Sequence, residues 1–177
     1  MIVDFKKTID TIKISAESKI LIAVSGGLDS MVLLDLFNNY HHNYAIAHCN
    51  FSLRGEESNI DQEFVENSAK SLNIKCFTKI FDTNSYAKKN KISTQMAARN
   101  LRYSWFKKIC KKYNFDFIAT AHHLNDSVET VLFNLIRGSG LSGLHGIKAF
   151  DGSIMRPLIH LHKNDLIRYA NDNNLKF

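Results

Sequence analysis

The stretch Lys19-Ile-Leu-Ile-Ala-Val-Ser-Gly-Gly-Leu-Asp-Ser30 decides the architecture. An apolar run of this length that closes on Gly26 and Gly27 marks a strand buried on both faces of a parallel sheet. Met31, Leu33, Leu34 and Leu36 then follow at helical spacing, so strand, glycine loop and helix succeed one another directly. Similar apolar runs stand at Tyr44 to His48, Lys75 to Ile80 and Phe117 to Ala121. Helical patterns separate them at Ser30 to Asn39, Glu56 to Leu72, Thr94 to Tyr113 and Asn125 to Arg137, with a shorter one near Asn164, after Pro157. This alternation predicts right-handed βαβ units and an α/β fold: a doubly wound, mainly parallel sheet with helices on both faces. Such sheets bind ligands beyond the carboxyl ends of their strands, which makes the loops after strands the places to look.

The chain has 177 residues, 45% apolar and 23% charged, which excludes a disordered or fibrous protein and suits one sizeable core. No Ser/Gly linker or repeat divides it, so residues 1–177 are expected to form a single domain. Twenty-three Lys and Arg against 17 Asp and Glu leave a charge of +6, which favours polyanionic partners. Cys49, Cys76 and Cys110 are too widely spaced for a CxxC pair and suggest neither a disulfide framework nor a zinc site. With no apolar stretch long enough to span a membrane and no secretion signal, the expected location is the cytoplasm.

Ser25-Gly-Gly-Leu-Asp-Ser30 has the makings of a phosphate cradle. Glycines let the backbone turn and approach a ligand, and amide hydrogens at a helix start, with the Ser25 and Ser30 hydroxyls, can donate to phosphate oxygens. The lysine of the Walker motif is missing, and the loop is too short for the dinucleotide fingerprint. Asp29 would repel phosphate unless a divalent cation intervenes, and Mg²⁺ has the matching preference for carboxylate and phosphate oxygens. Ordinary helix capping by Asp29 and Ser30 is the competing explanation.

Asp126 and Glu129, at i and i+3, project from one face of the first turn of the helix that follows the Phe117 strand. Val128, Val131, Leu132, Leu135 and Ile136 form its apolar stripe, expected to face the core. The two carboxylates, with Asp29, could hold Mg²⁺ or orient an amine, although acidic residues also stabilise helix starts through the macrodipole. His122 and His123 precede them and could contact a nucleotide. Arg137-Gly-Ser-Gly140 suits either a phosphate clamp or a helix C-cap. Arg99 and Arg102 lie one turn apart, one of them expected to face a phosphate, whereas Lys107, Lys108, Lys111 and Lys112 read first as a solvated face and second as a nucleic-acid contact.

Together, SGGLDS, HCNFSLRGEES, MAARNLRY, ATAHHLNDSVETVLFNLIRGSGLSGLHGI and MRPLIHLHKNDLIRYA resemble the tRNA(Ile)-lysidine synthetases of the N-type ATP pyrophosphatase (PP-loop) superfamily. The family often carries Asp where Asn125 stands and His where Phe51 stands. The resemblance implies ATP-dependent ligation of L-lysine to C2 of the wobble cytidine of tRNA(Ile) with a CAU anticodon, through an adenylated cytidine. It implies that Ser25, Gly26, Gly27, Leu28, Asp29 and Ser30 bind ATP, that Asp29, Asp126 and Glu129 bind Mg²⁺, and that Arg99, Asp126 and Glu129 are catalytic. Asp126 and Glu129 alternatively receive the lysine ammonium. Further tRNA-binding domains are expected after residue 177. Competing readings are another adenylating PP-loop enzyme, such as a tRNA thiolase or an amidotransferase, and a nucleotide-binding regulatory module.

Overall fold

A computed structural model describes residues 2–12, 14–41, 43–139 and 145–177. Its element order is α1 (Ile2–Ile12), β1 (Ile20–Ala23), α2 (Leu28–Tyr40), β2 (Tyr44–Asn50), α3 (Glu56–Ser71), β3 (Cys76–Ile80), α4 (Thr83–Asn90), α5 (Thr94–Tyr113), β4 (Phe117–Ala119), α6 (Leu124–Ile136), β5 (Phe150–Asp151), β6 (Ile154–Met155) and α7 (Lys163–Asp172). The six strands form one mostly parallel sheet in the order β3-β2-β1-β4-β6-β5. β1 runs parallel to β2 with Ile20 opposite Tyr44, β2 runs parallel to β3 with Ile46 opposite Cys76, and β5 and β6 form an antiparallel hairpin. The α/β expectation therefore holds. Its additions are α1, α4 and the short hairpin.

By packing, the chain divides into two compact units. One comprises residues 18–26 and 43–118 and contains β1 to β3, α3 to α5 and the start of β4. Ile20, Leu21 and Ile22 of β1 are fully buried, as an unbroken apolar run requires. Each such side chain contributes about 1.5–3 kcal/mol relative to exposure. The other unit comprises residues 1–17, 27–42 and 119–177, with α1, α2, α6, α7 and the hairpin. There Phe5 meets Phe37 edge to face at 5.3 Å, and the Tyr169 hydroxyl donates to Asp35 Oδ2 at 2.7 Å, tying α7 to α2.

The apolar stripe of α6 corrects the sequence reading. No residue of this helix is buried, and Leu132, Leu135 and Ile136 stand 53%, 53% and 85% exposed. Periodicity shows which residues share a face but not whether a partner covers it. One contact of α6 is tight: Ile147 N–H donates to Ser127 Oγ at 3.0 Å, and a Cβ on Gly146 would come within 2.5 Å of that oxygen.

His48, on β2, is 2% exposed and sits 2.9 Å from the Val24 carbonyl through Nδ1, while its Nε2 is buried without a partner. Burial lowers its pKa from 6.5, against the opposing pull of the Val24 carbonyl, Asp61 and Glu66. A lowered folded-state pKa means that the neutral form's contribution to stability is complete above the unfolded value, about 6.5, and is lost as pH falls below it. Urea titrations of the wild type and His48→Gln between pH 7.5 and 5 should show a stability loss in the wild type that the variant lacks. Parallel pH profiles would contradict the assignment.

Candidate active site

The loop from Ser25 to Ser30 joins the carboxyl end of β1 to α2. Its two glycines differ in conformation. Gly26 has φ +99°, a region that L side chains rarely adopt, whereas Gly27, the N-cap, is extended at φ −78° and ψ 164°. A Cβ on Gly26 would find only ordinary contacts with Asp61 and Val65 at 3.6 Å, so the demand for glycine lies in the backbone rather than in space. Gly26→Ala should therefore cost about 1–3 kcal/mol of stability, measured by thermal unfolding, and Gly27→Ala much less.

Gly27 offers no side-chain cap, which leaves Leu28 and Asp29 as first-turn residues whose amide hydrogens have no intrahelical acceptor. A phosphate oxygen is a suitable partner for such donors. The Ser30 hydroxyl, expected to face the phosphate, instead donates to the Gly27 carbonyl at 2.8 Å, and Ser30 is buried. Ser25 and Gly27 are exposed, and Leu28 is half-buried.

Asp29 is not occupied with capping. Its Oδ1 accepts a charged hydrogen bond from Lys163 Nζ at the start of α7, and its Oδ2 lies 3.7 Å from His123 Nε2. The other ring nitrogen of His123, Nδ1, is 3.5 Å from Asp126 Oδ2. The buried imidazole thus stands between two carboxylates that sequence separation keeps apart. Asp126 also caps its own helix, because its Oδ2 accepts the His123 amide at 2.9 Å, half of a reciprocal cap. The capping explanation, weighed for both acids, therefore applies to Asp126 and not to the side chain of Asp29.

Glu129 does not join this group. It is exposed and lines a shallow recess with Leu124, Asn125, Val128 and His162. Asn125 Oδ1 accepts the backbone N–H of Lys163 at 3.1 Å and so ties the start of α6 to that of α7. Arg99 is exposed on α5, in the other compact unit, with its guanidinium 5.0 Å from the Tyr103 ring centre. Arg102 lies 5.3 Å from the centre of the Phe51 ring. Arg137-Gly-Ser behaves as a helix end: Gly138 takes φ +72°, and the amides of Gly138 and Ser139 return to the carbonyls of Leu135 and Asn134. The fourth residue of that motif, Gly140, lies outside the described residues.

Among the described residues no three His, Cys, Asp or Glu side chains gather as a metal cage. Mg²⁺ does not need one, because it is commonly held by one or two carboxylates together with phosphate oxygens and water. Asp29 fits that mode, since it already accepts a cation beside the open end of α2. Burial pushes the Cys49 thiol up to about 12 and those of Cys76 and Cys110 up to about 11, so these sulfurs stay protonated at neutral pH.

A PP-loop domain family matches residues 1–177. The chain belongs to the PP-loop family. Among its curated relatives are tRNA(Ile)-lysidine synthases of Bacteroides thetaiotaomicron, 48% identical over 86% of this chain, and of Thermosipho africanus, 44% identical over 93% of it. The chain spans 36% and 39% of the lengths of those two relatives. In fold, this PP-loop chain is similar to the U34-tRNA thiolase NcsA of Methanococcus maripaludis, with TM-score 0.79 and 18% identity over 99% of this chain and 64% of the other. It is also similar to the NH3-dependent NAD synthetase of Campylobacter jejuni, with TM-score 0.63 and 16% identity over 98% of this chain and 71% of the other.

Lys163 and the bridging place of His123 were not legible in the sequence. Asp29 and Lys163 are 134 residues apart, and no local pattern announces their meeting. The available signal was positional: in a parallel sheet the helix starts that follow strands gather at one edge, so the charged residues of all of them are candidates for one site.

Proposed function

We propose that this PP-loop chain carries the adenylation and ligation site of a tRNA(Ile)-lysidine synthase. The observation that carries the proposal is the Lys163–Asp29–His123–Asp126 array beside the glycine loop, in a chain 48% identical to a relative of that name. ATP is bound by Ser25, Gly26, Gly27, Leu28, Asp29 and Ser30, with phosphate against the Leu28 and Asp29 amides. Mg²⁺ would be held by Asp29, with Asp126 and Glu129 as further candidate ligands, and when bound would neutralise phosphate charge. Lys163, displaced from Asp29 by that cation, would pair with phosphate instead.

The C2 carbonyl oxygen of the wobble cytidine attacks the α-phosphorus of ATP; an oxygen–phosphorus bond forms, and the bond to the pyrophosphate oxygen breaks. The ε-amine of L-lysine then attacks C2, the carbon–oxygen bond breaks, and AMP departs with the former C2 oxygen. The amine must lose its proton on the way, since its ordinary pKa is about 10.4. Asp126 and Glu129, three residues apart on α6, would receive the ammonium, with the His123 ring 3.5 Å from Asp126 and 3.7 Å from Asp29. Arg99 is assigned to charge developing on the α-phosphate. Cys49, Cys76 and Cys110 form no CxxC pair, which supports lysine ligation over the chemistry of an iron–sulfur thiolase.

Residues 1–177 act in this reading as one catalytic domain, the span of the family match. Contacts to the remainder of the tRNA are assigned to the part of the longer relatives that this chain does not cover. The cytoplasm is the proposed location; no helix among the described residues is long and apolar enough to cross a membrane. Pyrophosphate release that requires tRNA, ATP and lysine together supports the ligase. Release that requires sulfide or ammonia instead identifies a different PP-loop enzyme, and binding of ATP without turnover identifies a regulatory module.

A further inference from the structure

β3 ends the sheet order, and the last turns of α5 run beside it. Trp105, Lys108, Lys112 and Tyr113 recur at helical spacing and, with Phe77, line an open groove of about 390 Å³. The rings of Phe77 and Tyr113 lie 4.7 Å apart. Lys75 Nζ stands 4.5 Å from the centre of the Tyr113 ring, and Lys112 Nζ stands 5.3 Å from it, so two ammonium groups converge on one ring. Among the described residues no carboxylate is within ion-pair reach of Lys75, Lys108 or Lys112. Glu66 of α3, whose charge reaches Cys76 of β3, accepts a hydrogen bond from Gln62.

Unpaired cations call for an anionic ligand, and the aromatic faces narrow the choice. A strand of nucleic acid offers phosphates to the lysines and flat bases to the rings, and single-strand-binding grooves join these same two features. An acidic peptide satisfies the lysines only, and a duplex keeps its bases stacked internally. We propose that this groove binds unpaired nucleotides of RNA, with Lys75, Lys108 and Lys112 on consecutive phosphates and Trp105 and Tyr113 against the bases. The choice of RNA rests on the tRNA reading above; the groove itself rests on none of the residues assigned to ligation.

Trp105 is the sole tryptophan, so its fluorescence reports from inside the groove. A short oligouridylate, titrated without ATP or lysine, should quench it and bind more tightly than polyglutamate of equal charge. Lys108→Gln/Lys112→Gln changes two exposed side chains and should leave the circular dichroism spectrum unchanged. Each phosphate contact on a single strand contributes about −0.7 to the slope of log affinity against log salt, so the double variant should lose about 1.4 of slope. Between about 50 and about 200 mM salt the wild type should then weaken roughly sevenfold more than the variant. Equal binding of polyglutamate, or an unchanged slope, would overturn the proposal. Edge-strand lysines also discourage aggregation, and a variant that aggregates while keeping its oligouridylate affinity would show that to be their role instead. Because the titration omits the ligation substrates, lost lysidine formation with intact quenching would refute the ligase alone, and the reverse would refute the groove alone.

Discussion

Asp29→Asn should abolish lysidine formation and weaken Mg²⁺-dependent ATP binding by at least about 100-fold, while the protein stays folded. The substitution keeps shape and removes the charge on which Lys163 now rests and which Mg²⁺ would use. The stability cost should stay small. Asp29 and Lys163 side chains are 30% and 35% exposed, and ion pairs so open to solvent contribute roughly 0.2–1 kcal/mol. A large loss of affinity with a small loss of stability separates a ligand-binding carboxylate from a structural one. Calorimetry that found Mg²⁺-ATP affinity unchanged would remove Asp29 from the site.

Glu129→Gln is the second large effect expected, and the sharper test of the acidic helix. Glu129 is exposed and accepts no hydrogen bond from the described residues, so as a surface residue it should tolerate glutamine with no change in melting temperature or rate. As a ligand for the lysine ammonium or Mg²⁺, it should lose about 100-fold or more in kcat/KM for lysine at an unchanged melting temperature. Asp126 needs a different comparison because it also caps α6. Asp126→Ala should cost about 0.5–2 kcal/mol through the lost cap, whereas Asp126→Asn keeps an acceptor for the His123 amide and should lose turnover alone. Equal turnover in Asp126→Asn and the wild type would leave capping as the whole role of that residue.

The strand and helix alternation was legible because each of β1 to β4 and α2, α3, α5 and α6 carries a local pattern of apolar residues long enough to read. α1 does carry a stripe, with Ile2, Phe5, Ile9 and Ile12 at helical spacing, but the charged residues between them obscure it. α4 is almost wholly polar, and its one signal is the Asp82 carboxylate accepting the Ser85 amide at 3.0 Å. The hairpin strands have two residues each, below any detectable period, although Gly152-Ser153 at their turn is a recognised cue. At the site, the glycine loop and both acidic positions were legible as motifs. The neighbours that give them chemical meaning were not. Whether Asp29 caps its helix or holds a cation depends on Lys163 and His123, which reach it through the topology of the sheet rather than through adjacency. The stripe of α6 shows the same limit from the other side, since its period is clear and its exposure is set by what lies beyond the helix.

The most direct test of the central claim is incorporation of labelled lysine into tRNA(Ile) with a CAU anticodon, with AMP and pyrophosphate counted in the same reaction. Lysine, AMP and pyrophosphate should appear in equal amounts, only when ATP and Mg²⁺ are both present, and Asp29→Asn should eliminate all three together. ATP cleaved to ADP, or AMP released without lysine on the tRNA, would contradict the account.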